Sequence, residues 1–197
     1  NGFNANGTMA NRNNFGMLVG FQESHDEQRT NYEAQWDYNG NSIDFATRME
    51  RAKINAAFFL MSPGPKMIWQ FGELGYDVSI EQGGRTSKKP LHWEYYDVPA
   101  RKGLYDTYAS LISFRKENPE FFKAEAEFSW KANSSAHPVK SITCSASGKT
   151  FHVYGNFGAS AQTVEIPEGT WKNYLDNSNV AESVTLKEGE YILIKNF

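Results

Sequence analysis

Seven consecutive residues, 23–29, bring three carboxylates, a histidine and an arginine together. The carboxylates are Glu23, Asp26 and Glu27, and His25 and Arg29 lie among and just after them. Acidic and imidazole side chains move protons and stabilise charge in enzymes, so the set fits a catalytic loop. It also fits a solvated turn or a helix N-terminus, where acidic residues are favoured by the helix dipole.

The elements around this stretch read as alternating strands and helices. Short apolar runs at 17–21 and 67–71 predict two buried strands, and apolar residues at helical spacing predict helices over 46–61 and 102–118. Strand, helix, strand, helix is the pattern of βα units with a parallel sheet. Residues 23–29 then follow the first strand directly, at the sheet edge where the active sites of barrels are built.

The period of the pattern changes to two after Phe122, which predicts short strands separated by turns. The predicted strands are 126–130, 141–145, 150–156, 163–166, 171–174, 183–186 and 191–195. Seven strands at this spacing predict an antiparallel β-sandwich. The predicted fold class is α/β plus all-β, with domains at 1–122 and 123–197.

Size and charge limit the function classes. The 197 residues carry a net charge of −3, with 40% apolar and 15% aromatic residues. The weakly acidic balance argues against nucleic acid as a partner, and no apolar run reaches the roughly 18–20 residues that cross a bilayer. We expect a soluble chain, cytoplasmic or exported. The first residue is not methionine, so we expect a fragment or a processed chain.

Two βα units cannot close a sheet by themselves. Parallel strands are normally buried on both faces, so further strands must come from elsewhere, or the chain self-associates, or its own helices cover the open edges.

Five segments resemble the α-amylase family of glycoside hydrolases in the order and spacing of that family. They are Glu-Ser-His-Asp-Glu-Gln-Arg at 23–29, the Pro-Gly-Pro-Lys turn and apolar strand at 63–75, the helix end at 111–119, and the strands at 153–157 and 189–194. The sequence of the first segment, Ser-His-Asp-Glu in particular, is similar to that of glycogen branching enzymes. The resemblance implies the last two βα units of a (β/α)8 (TIM) barrel followed by a β-sandwich.

The resemblance also implies roles for the residues of the first segment. Asp26 matches the third catalytic carboxylate, which hydrogen-bonds sugar hydroxyls and stabilises an oxocarbenium-like transition state. His25 matches the neighbour that binds the same sugar. Arg29 is expected to support the loop or to contact a subsite, and Glu23 and Glu27 to give supporting hydrogen bonds or substrate contacts.

Aromatic residues near this segment can stack on the apolar faces of glucose units. Trp36 and Tyr38, in the polar loop over 30–42, are the better candidates, and core or loop packing is the alternative for each. The resemblance implies that the ligand is an α-glucan of the starch or glycogen type.

The family's nucleophile and acid/base lie in motifs upstream of this region, and neither is present before residue 17. Retaining glycosidases need both, so the chain alone is expected to be inactive. We expect no metal and no cofactor. Hydrolysis, transfer and branching remain open. The alternative from another class is a non-catalytic carbohydrate-binding or structural β-sandwich module.

Overall fold

The computed structural model describes residues 19–132 and 137–197. Short strands and three helices make up its first part, in the predicted alternating order. They are β1 (Gly20–Phe21), α1 (Thr30–Glu33), α2 (Phe45–Met61), β2 (Lys66–Met67) and α3 (Pro99–Glu117).

The two strands pair in parallel, with Gly20 opposite Lys66 and Phe21 opposite Met67. Of the predicted first strand, residues 17 and 18 lie outside the described residues. The second strand is shorter than predicted and ends at Met67. Further along, Phe71 adopts a left-handed conformation (φ 57°) and precedes a 3₁₀ turn at Gly72–Leu74. Backbone in that conformation cannot continue a strand.

Both long helices confirm the predicted ones, with small shifts at their ends. Helix α2 begins after Asp44, whose side chain accepts a hydrogen bond of 2.9 Å from the Thr47 amide, as expected of an N-cap. Helix α3 begins three residues earlier than predicted, because Pro99 occupies its first turn, where proline is well tolerated. It ends at Glu117, one residue before the predicted end, and Pro119 lies two residues beyond.

Each of the seven predicted strands has a counterpart in the second part. They are β3 (Glu127–Lys131), β4 (Val139–Ala146), β5 (Lys149–Asn156), β6 (Gln162–Glu165), β7 (Lys172–Asn173), β8 (Ser183–Leu186) and β9 (Tyr191–Lys195). Five of them form an antiparallel sheet in the order β3-β4-β5-β9-β7, and β6 pairs with β8 in a second antiparallel sheet.

One apolar core joins the helices to the five-stranded sheet. Met49 and Leu104 from α2 and α3 belong to the same buried cluster as Phe151, Val153 and Leu193 from β5 and β9. The predicted boundary at residue 122 therefore divides two kinds of secondary structure that share a core. The domain limits of 1–122 and 123–197 stay a prediction.

A buried ion-pair network fixes the segment between β2 and α3 onto the helices. The Asp77 carboxylate accepts from Arg101 at 2.9 Å and lies 3.5 Å from Arg48, and the Tyr95 hydroxyl donates to it at 2.8 Å. The Arg101 guanidinium also lies 3.6 Å from the centre of the Tyr95 ring. This network sets the position of the loop that reaches the candidate site.

The described residues contain two parallel strands and no closed barrel, so the barrel part of the prediction holds only for its two βα units. The molecule is a mixed α/β protein with antiparallel sheets. Val19, Phe21 and Ile68 are exposed around the strand pair, and self-association through it stays a prediction. No helix of the described residues is long and apolar enough to cross a bilayer.

Candidate functional site

The loop after β1 presents His25 and Asp26 to solvent. Their side chains are 70% and 73% exposed, and His25 Nε2 lies 3.2 Å from Asp26 Oδ2. The Asp26 amide donates to the Ser24 hydroxyl at 3.1 Å, which turns the chain so that both side chains project outward. This pair can bind a hydroxyl group between a donor and an acceptor.

The backbone of this loop is held from below by Arg29. The Arg29 side chain is 2% exposed, its guanidinium donates to the Ser24 carbonyl, and it lies 5.7 Å from the centre of the Tyr76 ring. A buried arginine of this kind fixes the loop by hydrogen bonds and cation–π contact. The loop is therefore supported by its own buried cation.

A second segment of the chain holds the loop from the side. Gln28 donates to the Ser79 hydroxyl at 3.0 Å and accepts from the Ile80 amide at 2.7 Å. Arg85 donates to the backbone carbonyl of Asp26 and forms an ion pair with Glu81. Residues some 50–60 positions downstream thus fix where Asp26 lies.

Glu23 is buried beneath the same loop, with 5% of its surface exposed. Its Oε2 accepts from the Thr30 amide at 2.7 Å, whereas its Oε1 has no hydrogen-bond partner among the described residues. Burial raises the pKa of Glu23, and Arg29 nearby partly offsets the rise. The Glu23 carboxylate is therefore buried at the start of α1, where it is bonded to the backbone.

The structure separates the predicted sugar-binding residues into two groups. Glu23 and Arg29 do not reach the surface, so support of the loop fits them and direct contact with substrate does not, because their neighbours cover them. Glu27 is exposed and accepts from the Ser24 hydroxyl, so it combines a supporting hydrogen bond with access to solvent.

The predicted stacking residue Trp36 is 46% exposed, and its ring lies 5.5 Å from that of Tyr32 in an edge-to-face contact. No ring contact of the described residues joins it to His25. The tryptophan that does lie beside His25 is Trp69, at 5.8 Å between ring centres. Its Nε1 is buried without a hydrogen-bond partner among the described residues.

Sequence reasoning missed Arg85 and Trp69 as parts of this site. Arg85 lies in a Gly- and Lys-rich loop that carries no local signal, and only the folded chain brings it to the Asp26 carbonyl. Trp69 lies in an apolar run, where core packing is the expected role. No group of three or more His, Cys, Asp or Glu side chains among residues 19–132 and 137–197 could hold a metal ion.

No protein-family model and no curated protein matches this sequence. Solved structures do match. AmyP, solved with maltose, superimposes with a TM-score of 0.71 at 16% identity, over 89% of this chain and 40% of that chain. An α-amylase from Anoxybacillus gives a TM-score of 0.64 at 17% identity, over 90% and 37%. The trehalulose synthase MutB from Pseudomonas mesoacidophila MX-45 gives a TM-score of 0.60 at 19% identity, over 90% of this chain and 42% of that chain.

The chain has the fold of part of these proteins. It spans about two fifths of the length of each. The resemblance to the α-amylase family, which rested on short motifs, is confirmed at the level of the fold, because an α-amylase is among the structural neighbours. A variant of the same synthase was solved with sucrose, so two of these neighbours bind small saccharides.

Proposed function

We propose that this chain is the C-terminal part of an α-amylase-family enzyme that acts on α-glucans of the starch or glycogen type. One observation carries the proposal. An exposed His25–Asp26 pair follows a strand that pairs in parallel with β2, in a fold that an α-amylase matches over 90% of this chain. Barrel enzymes carry their catalytic residues on the loops that follow the strands, as this loop does.

In this proposal Asp26 binds the sugar and stabilises the transition state, and it neither attacks the sugar nor protonates the leaving group. Its Oδ2 lies 3.2 Å from His25 Nε2, which leaves Oδ1 to accept from a hydroxyl of the sugar at the cleavage point. Such hydrogen bonds strengthen as the ring takes on oxocarbenium character, and the negative charge of the carboxylate stabilises the positive charge that develops.

His25 is the companion group that binds the same sugar ring. Its ring packs 5.8 Å from that of Trp69, which restricts its orientation. A loop fixed before substrate arrives does not have to reorganise during the reaction, which is how such contacts favour the transition state. Arg29, Gln28 and Arg85 supply that fixation here.

The nucleophile and the acid/base of the retaining reaction belong, in this proposal, to the parent enzyme outside these 197 residues. Two carboxyl groups about 5–5.5 Å apart are required for that reaction. Choice between hydrolysis, transfer and branching would depend on acceptor subsites of the parent enzyme. The isolated chain is proposed to be inactive.

The test is Asp26→Asn in the full-length gene product. Amide replaces carboxylate at constant size, so we expect kcat/KM on soluble starch to fall about a thousandfold, since several kcal/mol of transition-state stabilisation are lost and each 1.36 kcal/mol is tenfold. Asp106→Asn is the matched control, because Asp106 pairs with Lys102 on the surface of α3 and should leave activity unchanged.

Two results would sink the proposal. One is full activity of the Asp26→Asn enzyme with unchanged far-UV circular dichroism. The other concerns the isolated chain: release of reducing sugar from starch or glycogen by the purified 197-residue protein would contradict its proposed inactivity.

A further inference from the structure

Residues 82–87 form a turn around the ammonium group of Lys89, called here the lysine turn. The Lys89 Nζ donates to the Gln82 carbonyl at 2.9 Å, to the Gly84 carbonyl at 2.8 Å and to the Ser87 hydroxyl at 3.1 Å. An ammonium group carries three protons, so these three oxygens use its whole donor capacity. The Lys89 side chain therefore holds both ends of the turn together.

Two glycines allow the backbone of the lysine turn to direct its oxygens towards one point. Gly83 and Gly84 have φ values of 72° and 100°, which residues with a side chain rarely adopt. A Cβ on Gly83 would also lie 3.0 Å from the Ser87 hydroxyl oxygen. That hydroxyl donates to the Gln82 carbonyl at 2.9 Å and closes the turn from inside. Glycine at both positions is therefore what this arrangement of oxygens around Lys89 requires.

Arg85 lies inside the lysine turn, and its guanidinium reaches the loop that carries the candidate catalytic carboxylate. Its Nη2 donates to the Asp26 backbone carbonyl, and its Nη1 pairs with Glu81 at 2.8 Å. A guanidinium is a planar fork, so contacts on both of its outer nitrogens fix its direction as well as its position. The contact with Asp26 also requires that the backbone of Arg85 stays in place, and Lys89 holds oxygens on both sides of it along the chain.

A separate contact attaches the chain just before the lysine turn to the same loop. The Gln28 Oε1 accepts from the Ile80 amide at 2.7 Å, and Ile80 is 2% exposed. This stretch is thus attached to the catalytic loop twice, at a buried point by Gln28 and at an exposed point by Arg85. Only the exposed attachment belongs to the turn that Lys89 holds, so the effect of Lys89 can be separated from that of the buried contact.

We propose that Lys89 is a positioning residue for Asp26 and acts on it through the lysine turn and Arg85. The role of Asp26 in the reaction rests on the proposed function, whereas the connection from Lys89 to the Asp26 carbonyl does not. A carboxylate that stabilises a transition state has to be in place before the reaction, and a displacement of about 1 Å can lower the rate about a hundredfold. Lys89 supplies part of that fixation without touching the substrate.

The first test is an NMR comparison of variants of the 197-residue chain, without substrate. Lys89→Met removes the ammonium group and keeps the length of the side chain, so the lysine turn should open and Arg85 should leave the Asp26 carbonyl. We expect the carbon resonance of that carbonyl and the nitrogen resonance of the Glu27 amide to move, because both belong to the peptide that accepts the bond. Lys88→Met is the matched control, because Lys88 is the exposed neighbour and its loss removes the same charge. Both resonances should stay where they are in Lys88→Met.

The second test measures kcat and KM of the full-length gene product on soluble starch. Arg85→Met should lower kcat roughly ten- to hundredfold and Lys89→Met roughly tenfold, with KM within about twofold, because Asp26 is used in the transition state. Ser87→Ala removes one of the three oxygens around the ammonium group and should lower kcat about two- to threefold, which keeps the test decisive if Lys89→Met fails to fold. Lys88→Met should leave kcat unchanged, and the melting temperature of each variant reports whether it is folded.

A double variant separates a positioning role from a general loss of stability. If Lys89 acts through Arg85, addition of Lys89→Met to Arg85→Met should change kcat by less than about twofold, because the contact is already lost. Independent effects would instead multiply, to a total loss of roughly a hundred- to thousandfold.

Three outcomes would overturn the positioning role: unchanged resonances at the Asp26 carbonyl in Lys89→Met, multiplied losses in the double variant, or an equal loss of kcat in Lys88→Met. Asp26→Asn separates this proposal from the preceding one. If Asp26→Asn lowers kcat and Lys89→Met does not, the positioning role is wrong while the proposed function stands. If Lys89→Met moves the carbonyl resonance and Asp26→Asn keeps full activity, the proposed function is wrong and the connection from Lys89 to Asp26 stands.

Discussion

Glu23 illustrates at the scale of one residue how the loop is built. Its carboxylate lies beneath the exposed His25–Asp26 pair, and its Oε1 approaches Gly72 so closely that a Cβ there would lie 2.8 Å away. A Cβ at position 72 would therefore require the Glu23 carboxylate to shift. Glu23, for which the sequence predicts a supporting hydrogen bond or a substrate contact, accepts a hydrogen bond from the Thr30 amide at the start of α1.

Replacement of Glu23 by glutamine should change how stability depends on pH. Burial raises the pKa of Glu23 in the folded state, whereas the unfolded chain ionises near 4.5. As pH rises through 4.5 the unfolded state loses its proton first, so the folded state is progressively disfavoured until pH exceeds the raised pKa. Glutamine cannot ionise, so the Glu23→Gln variant should gain stability relative to the unchanged protein between pH 4 and 7.

Urea unfolding at several pH values measures this difference. Glu127→Gln is the control, since Glu127 is exposed on the edge strand β3. If the difference in unfolding free energy between the Glu23→Gln variant and the unchanged protein stays constant from pH 4 to pH 7, ionisation of Glu23 does not affect stability in this range.

At the scale of elements, regular patterns were predictable and irregular backbone was not. Helices α2 and α3 and strands β8 and β9 follow from periodicity and from proline or glycine at their ends, because one face of each is buried. The early end of β2 was not predictable, and neither was the backbone conformation at Phe71. Phe71 adopts a left-handed conformation that side chains other than glycine rarely take, and its ring stacks on Tyr76 at 5.9 Å.

Close contact between β5 and α2 gives a prediction at this scale. A Cβ on Gly155 would lie 2.6 Å from Ile54 Cδ1 and 2.7 Å from Phe58 Cε2. Gly155→Ala should therefore separate the sheet from the helix, and overpacking of this kind costs about 1–3 kcal/mol of unfolding free energy.

Gly103→Ala is the matched control for Gly155→Ala. Gly103 lies inside α3, and a Cβ there would meet only the flexible end of Lys53, at 3.4 Å. Alanine is the better helix former by up to about 1 kcal/mol, so this variant should unfold at equal or higher urea concentration. Equal stability of both variants would mean that β5 does not pack closely on α2.

At the scale of the whole molecule, the sequence was enough for the order of elements and not for the assembly of the site. The place of His25 and Asp26 on the loop after the first strand was predictable, because they are adjacent in sequence and follow an apolar run. Arg85 could not, since only the folded chain brings it to the Asp26 carbonyl. The shared core was equally hidden, because periodicity shows that a face is buried and not what buries it.

That shared core predicts how the whole molecule unfolds. Phe114 at the end of α3 contacts Phe151 of β5 edge to face at 5.1 Å, and Tyr174 at 4.9 Å, so the two predicted domains meet through buried aromatic rings. Loss of either partner would expose that surface to water. We therefore expect one cooperative transition, with tryptophan fluorescence and far-UV circular dichroism giving the same urea midpoint. Residues 1–122 and 123–197, expressed separately, should each be less stable than in the whole chain. Two separate transitions, the second retained by 123–197 alone, would mean that the contacts across residue 122 contribute little to stability.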